Sequence, residues 1–176
     1  HMRAPDEDVH TAVTAAPAGR PLTAAEVAAA RREAFELLGR RKDEAVRTLV
    51  DHLVTAQVRG GQAEFAAKTL CSLAAAAGAV PELAEEWLRR AVDVAPLDPV
   101  PAVQLVTLLR LRGRGGEAAR CADEVFPGRA NDGIAIRAWA EARRSGGDFD
   151  GAEAKFRDAQ ALAPDNEVAW TGFAEL

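Results

Sequence analysis

The chain has 176 residues and a formal net charge of −5, and 48% of its residues are hydrophobic although only 5% are aromatic. The acidic balance disfavours a dedicated nucleic-acid binder, no apolar run approaches the ~20 residues of a membrane span, and the N-terminus lacks the apolar segment of a signal peptide. We therefore expect a cytoplasmic, mostly helical protein with small residues at its helix contacts. Cys71 and Cys121 lack metal-ligand or redox spacing and are expected to be reduced thiols.

An arm rich in proline, alanine and acidic residues occupies positions 1–21, and its first two residues are interpreted as the remnant of a tag. Region 22–61 is predicted to form a divergent helical hairpin that caps the N-terminal end. Thr23 and Glu26 have the spacing of a capping box, in which two side chains satisfy backbone N–H groups at the start of a helix. This first helix should end near Gly39.

The second helix of the hairpin is predicted to begin near Asp43, whose carboxylate can cap it, and to end at Gly60-Gly61. The hairpin does not follow the period of the later chain, because Ala45 lies 39 residues before Ala84 (84−45).

Alanines recur at intervals of 34 residues, at Ala84, Ala118 and Ala152 (118−84 and 152−118). A helix-turn-helix unit that repeats at this interval cannot bury its apolar face alone and must stack on its neighbours. The predicted divisions are repeat 1 (62–98), a degenerate repeat 2 (99–132), repeat 3 (133–166) and a truncated first helix of a further repeat (167–176). The chain is thus expected to be a fragment of a longer protein.

Six helices are predicted for these repeats. Pro81 suits a helix start, where its missing N–H costs nothing, Asp148 can cap the last helix, and Gly113 and Gly115 are expected to adopt positive φ in a tight turn. The predicted ranges are about Ala63–Ala77, Glu82–Ala95, Pro101–Arg112, Gly116–Val125, Gly133–Ser145 and Phe149–Leu162.

Repeat 3 resembles the tetratricopeptide repeat (TPR) family. That family's pattern consists of a small residue, a turn glycine, an aromatic residue, alanine, a second aromatic residue, alanine and proline. The corresponding positions here are Ala140, Gly147, Phe149, Ala152, Phe156, Ala159 and Pro164. The resemblance implies an all-α, right-handed α-solenoid whose concave groove binds a protein or peptide, with the alanines at close helix contacts and the two phenylalanines filling the gaps between helices.

A second, less specific resemblance links segments 67–74 and 86–92 to the repeat regions of large multi-domain bacterial TPR proteins with nuclease or transcription-factor-like domains. It implies the alternative that the chain is the repeat or sensor region of a bacterial regulatory or conflict-system protein, with a catalytic domain C-terminal to Leu176.

In the TPR family the first helix of each repeat lines the groove, so the repeat register predicts which residues face a ligand. The candidate partner-binding residues are Thr69, Leu73, Val103, Thr107, Arg110, Arg137, Glu141 and Arg144, and Val100 and Ile134 share the projected face. We expect a peptide to place apolar side chains near Leu73 and Val103 and an acidic group near the three arginines. Alternatively, these arginines only solvate the surface and complement helix C-termini.

Other functions have less support. No serine or cysteine has a patterned base partner and no glycine-rich loop suits a phosphate, so we expect no enzyme activity, no cofactor and no metal. Eight arginines between positions 110 and 144 leave an RNA-binding solenoid as an alternative, although the nearby aromatic residues mostly occupy core positions. Trp170 and Phe173 should form an exposed apolar end, through which a homodimer is a further expectation.

Overall fold

The structure is a computed structural model that describes residue 13, residues 19–128, residue 130 and residues 132–162. The described residues include eight α-helices with defined bounds and no β-strand, which confirms the all-α fold class. The helices are α1 (Ala24–Gly39), α2 (Asp43–Arg59), α3 (Ala63–Ala76), α4 (Pro81–Val94), α5 (Pro99–Leu111), α6 (Gly115–Val125), α7 (Gly133–Ser145) and α8 (Phe149–Leu162).

Several expectations concern residues outside these ranges. They are the arm at 1–21, for which residues 13 and 19–21 alone are described, the proline at 164, the truncated helix at 167–176 and the homodimer through Trp170 and Phe173. Within the described part, no helix combines the length and the apolarity needed to cross a bilayer.

The chain divides into two compact units, His1–Ala95 with α1 to α4 and Pro96–Leu176 with α5 to α8. In each unit, every helix packs on the next one in sequence, and the first helices of its two hairpins also pack on each other: α1 on α3, and α5 on α7. Stacked hairpins cover their apolar faces in this way, and the arrangement fits a TPR-type repeat. Membership of that family and the repeat boundaries stay predictions.

Small residues allow the helices to approach each other, as the repeat pattern predicts. Ala140, Ala152 and Phe156 form one buried cluster between α7 and α8. The prediction for Phe149 was wrong, because its ring is exposed at the first position of α8 and does not lie between the helices. Cys71 and Cys121 are buried and form no disulfide, as expected for reduced thiols.

The predicted capping box of α1 is complete. The Glu26 backbone N–H donates to Thr23 Oγ1 at 3.2 Å, and the Thr23 backbone N–H donates to Glu26 Oε2 at 2.7 Å. Arg20 also donates a hydrogen bond to Glu26, and its Nη2 lies 2.6 Å from Glu26 Oε1. These hydrogen bonds, that from Arg20 first, lower the pKa of Glu26 from its ordinary value of 4.5 to about 2.

The starts of α2 and α5 differ from the predictions in their capping or position. Asp43 does not cap α2, because the helix begins at Asp43 itself and no side chain bonds to its first N–H groups. The carboxylate lies in the first turn, where the helix dipole favours negative charge.

α5 begins two residues earlier than predicted, at Pro99, because Asp98 accepts a hydrogen bond from the Val100 backbone N–H at 2.9 Å. Asp148 caps α8 as predicted, accepting from the Gly151 N–H at 2.9 Å.

The two glycines expected to turn the chain between α5 and α6 have different roles. Gly113 has φ +73° and makes the turn, as predicted. Gly115 was predicted wrongly, since it is the first residue of α6 and its φ is not positive. A Cβ at Gly115 would overlap the carbonyl oxygen of Ser145, which ends α7, whereas one at Gly116 would meet only the Arg120 side chain at 4.0 Å. Gly115 therefore permits the close approach of α6 to α7.

Substitution of this glycine should destabilise the fold. Gly115→Ala should lower the free energy of unfolding by about 2–3 kcal/mol, because a backbone segment must move to accept the methyl group. Gly116→Ala, the neighbouring control, should be neutral or stabilising by up to about 1 kcal/mol, since alanine favours the helix. Urea denaturation followed by circular dichroism measures both values, and equal effects would contradict the proposed close contact.

Acid should weaken the N-terminal cap of α1. A carboxylate whose pKa is lowered on folding stabilises the fold above its ordinary value of 4.5, and this contribution is lost as the pH falls toward the folded value of about 2. The melting temperature of Glu26→Gln should therefore fall less than that of the wild type as the pH is lowered from 4.5 to about 2. Glu36→Gln, an exposed change in the same helix, should keep the wild-type profile, and identical profiles for all three proteins would contradict the assignment.

Candidate functional site

The clearest candidate site lies on the neighbouring first helices of the second unit, α5 and α7. Residues three or four positions apart lie on one face of a helix, and α5 packs against α7, so one face of each helix contributes to a shared surface. We call this surface the α5–α7 face. Its members are Val100, Val103, Thr107, Arg110, Ile134, Arg137, Glu141 and Arg144.

The N-terminal part of the α5–α7 face is apolar. Val100 and Ile134 lie in the first turns of α5 and α7 and are exposed, while Val103 and Thr107 are half-buried. Full burial of an aliphatic side chain of this size is worth about 1.5–3 kcal/mol, so these residues can contribute to the binding of an apolar ligand.

The other part is an arginine cluster around one buried carboxylate. Glu141 is only 6% exposed. Its Oε2 accepts hydrogen bonds from Arg110 Nη2 at 3.0 Å and from Arg144 Nη2 at 2.8 Å, and its Oε1 lies 3.9 Å from Arg137 Nε. Arg110 also donates from Nε to Ser145 Oγ at 3.1 Å. Glu141 thus lies beneath the three arginines. We call these four residues the arginine cluster.

The four charged groups of the cluster orient one another through their contacts. Three guanidinium groups surround a single carboxylate, so the formal charge of the four groups is +2 (3−1). The side chains of Arg110, Arg137 and Arg144 are 24%, 31% and 26% exposed, and water can therefore reach each of them. The interpretation that these arginines only solvate the surface is incomplete, because all three contact a buried partner.

Two predicted groove residues have a different environment. Thr69 and Leu73 belong to α3 of the first unit and are 5% and 0% exposed. Thr69 Oγ1 donates to the Phe65 carbonyl at 2.9 Å and accepts from Gln57 Nε2 at 3.3 Å. The helices α1, α2 and α4 all pack on α3, so a peptide cannot reach either side chain in this conformation.

Two further arginines between positions 110 and 144, Arg114 and Arg143, are paired with acids. Arg114 Nη2 lies 2.6 Å from Glu117 Oε1, and Arg143 bridges Asp123 at 2.9 Å and Asp148 at 3.0 Å. Part of the positive charge counted along the sequence is therefore compensated outside the arginine cluster. The partners Asp123 and Asp148 could not be assigned from the sequence, because they come from different helix ends.

Trp139 is engaged in packing. Its ring stacks on the buried Phe126 with centroids 5.9 Å apart, and Lys155 Nζ lies 4.1 Å from its centroid. Its Nε1 donates to Asp123 at 2.6 Å. These contacts support the expectation of a packing role for Trp139 and Phe126, and they disfavour Trp139 as a base-stacking platform for RNA. Phe149, by contrast, is exposed.

Comparison with known proteins adds little to this description. No protein-family model matches the chain, and no curated protein sequence matches it. A solved structure of MamA AMB-1, in crystal form P212121, is similar with 19% sequence identity and a TM-score of 0.47 and covers 85% of this chain and 98% of that one. The class of the protein, an all-α chain of consecutive helical hairpins, follows from its own helices.

Loss of the buried carboxylate should destabilise the second unit. Glu141→Gln should reduce the free energy of unfolding by about 2–3 kcal/mol, because three partly desolvated guanidinium groups lose their common partner. Glu153→Gln is the matched control, since Glu153 forms an exposed pair with Arg157 and should contribute less than about 0.5 kcal/mol. Denaturant titrations measure both variants, and a neutral Glu141→Gln would contradict the structural role of this carboxylate.

Proposed function

We propose that the chain is a non-catalytic interaction scaffold and that the α5–α7 face binds a segment of a partner protein. The observation that carries this proposal is the arginine cluster, in which one buried glutamate holds three guanidinium groups at one end of a face whose other end exposes apolar side chains. This combination suits a peptide that carries both apolar and acidic residues.

The apolar part of such a peptide lies on Val100, Val103 and Ile134, and its acidic group meets the arginine cluster. Arginine forms paired, charge-assisted hydrogen bonds with a carboxylate, and a guanidinium that is already oriented loses less conformational entropy on binding. Arg137 is the best placed to contact the ligand, because its Nε lies 3.9 Å from Glu141 whereas Arg110 and Arg144 hold that carboxylate within hydrogen-bond distance.

The alternatives carry less weight. The RNA-binding solenoid requires free cations beside stacking groups, whereas Arg143 is bound to two aspartates and Trp139 is packed on Phe126. The regulatory or conflict-system alternative places its chemistry in another domain, and a peptide-binding face is compatible with it. The absence of enzyme activity, the bacterial origin and the cytoplasmic location stay predictions.

A selection from a random peptide library tests the proposed surface. We expect the enriched peptides to contain Asp or Glu within a few residues of an apolar residue. Arg137→Gln and Ile134→Gln should each weaken their binding about tenfold, the effect of one charge-assisted hydrogen bond or one buried aliphatic group. Isothermal titration calorimetry measures the affinities after circular dichroism has shown that the variants are folded.

Two exposed changes in the same unit are the controls. Arg120→Gln removes a positive charge from α6, and Leu162→Gln removes an exposed apolar side chain from α8, so both should keep the wild-type affinity. Peptides without an acidic residue, or equal losses in the control variants, would contradict the assignment to the α5–α7 face. Enriched peptides that bind Arg137→Gln as tightly as the wild type would exclude the role of the arginine cluster.

A further inference from the structure

Four helices of the chain end in the same type of turn. Three of these turns have glycine at one particular position, and the fourth has arginine there. Each turn has a residue with positive φ two positions after the last helical residue. These residues are Arg41 (+56°) after α1, Gly61 (+74°) after α2, Gly113 (+73°) after α5 and Gly147 (+87°) after α7. Arg41 is the only non-glycine residue with positive φ in the described part of the chain.

The hydrogen bonds confirm that the turns are equivalent. After α1, the Arg41 N–H donates to the Leu38 carbonyl at 3.1 Å and the Lys42 N–H donates to the Leu37 carbonyl at 3.0 Å. The same pair of bonds closes the turns at Gly61, Gly113 and Gly147. This is the Schellman motif, in which glycine is preferred because a Cβ is disfavoured in the left-handed region.

The contacts of Arg41 within the protein do not account for the arginine. Its Nη2 lies 3.6 Å from Asp43 Oδ2, and the arginine side chain is 61% exposed. A surface ion pair at this separation contributes little to stability. Non-glycine residues with positive φ cluster at active sites, ligand clamps and switch regions, so the surroundings of Arg41 are informative.

Arg41 lies at an open cavity of the first unit. The cavity has a volume of about 340 Å³ and lies between the C-terminal ends of α1 and α3. Its lining includes Phe35, Leu38, Ala76, Ala77 and Val80. Among the described residues that line it, Arg41 is the only charged one. Small-molecule sites commonly have volumes of about 300–1,000 Å³, mostly apolar walls and a few polar groups that orient the ligand.

The aromatic wall of this cavity is supported from outside. The Arg31 guanidinium carbon lies 6.0 Å from the centroid of the Phe35 ring, and Arg31 Nη2 donates to Ser72 Oγ at 2.7 Å. Because Arg31 belongs to α1 and Ser72 to α3, their hydrogen bond links the two helices.

We propose that the cavity binds a small amphipathic carboxylate, with its apolar part against Phe35, Leu38 and Val80 and its carboxylate on the Arg41 guanidinium. The apolar walls offer water few hydrogen bonds, so an apolar group is a better occupant. Arg41, which lines the cavity, supplies a charge-assisted partner for the anionic end. This site belongs to the first unit and does not depend on the α5–α7 face of the second unit.

Octanoate and 1-octanol are matched probes, because they share an apolar chain and differ in the charged group. In ¹H–¹⁵N correlation spectra of the whole chain, octanoate should shift the backbone amides of Gly39, Arg41, Ala77 and Val80, and it should bind more tightly than 1-octanol. Arg41→Gly should weaken octanoate binding about tenfold, the effect of one charge-assisted hydrogen bond, and should change 1-octanol binding little.

Thermal stability separates a ligand role from a structural one. Glycine is unstrained in this turn, so the melting temperature of Arg41→Gly should be unchanged or higher, by about 2–4 °C. Arg40→Gln removes the neighbouring exposed charge and should keep the octanoate affinity. The proposal is overturned if octanoate shifts amides elsewhere, if 1-octanol binds equally well, if Arg41→Gly keeps the affinity or melts at a lower temperature, or if Arg40→Gln loses binding.

Discussion

The close approach of helices that cannot bury their apolar faces alone is the constraint on which this structure depends. An amphipathic hairpin exposes part of its apolar face until a neighbour covers it, and tight covering requires small residues at the contacts. Ala140 and Ala152 provide this contact between α7 and α8, and Gly115 provides it between α6 and the end of α7. In the second unit, stacking leaves one face of α5 and α7 partly uncovered, and this is the face proposed to bind a ligand.

The two proposed sites use arginine in different ways. In the arginine cluster, the carboxylate of Glu141 is buried and contacts the guanidinium groups. Burying this carboxylate is costly, but it also orients the cations that face solvent. Arg41 instead lines an apolar cavity, and its unusual feature is its backbone conformation. The first site is proposed for the acidic residue of a peptide, and the second for a small amphipathic anion.

Much of the fold could be predicted because helix signals are local. The capping box at Thr23 and Glu26, the turn at Gly147 and the ends of α7 and α8 depend on residues within a few positions of each other, and the structure agrees with them. The prediction for Gly115 failed because its partner Ser145 lies 30 residues away (145−115). A sequence pattern cannot show which distant backbone a glycine will approach.

The sequence by itself therefore determined the helical class, the hairpin period and the placement of most helix ends, because propensity, capping and turn chemistry operate over a few residues. Only the tertiary structure decided which of the predicted site residues are exposed. It buried Leu73 within the first unit and Glu141 beneath the arginines, and it placed Arg41 at a cavity. Burial and ion pairing depend on which helices meet in space. The repeat pattern predicts which face of a helix a residue lies on, but it does not predict which atoms of other helices cover that face.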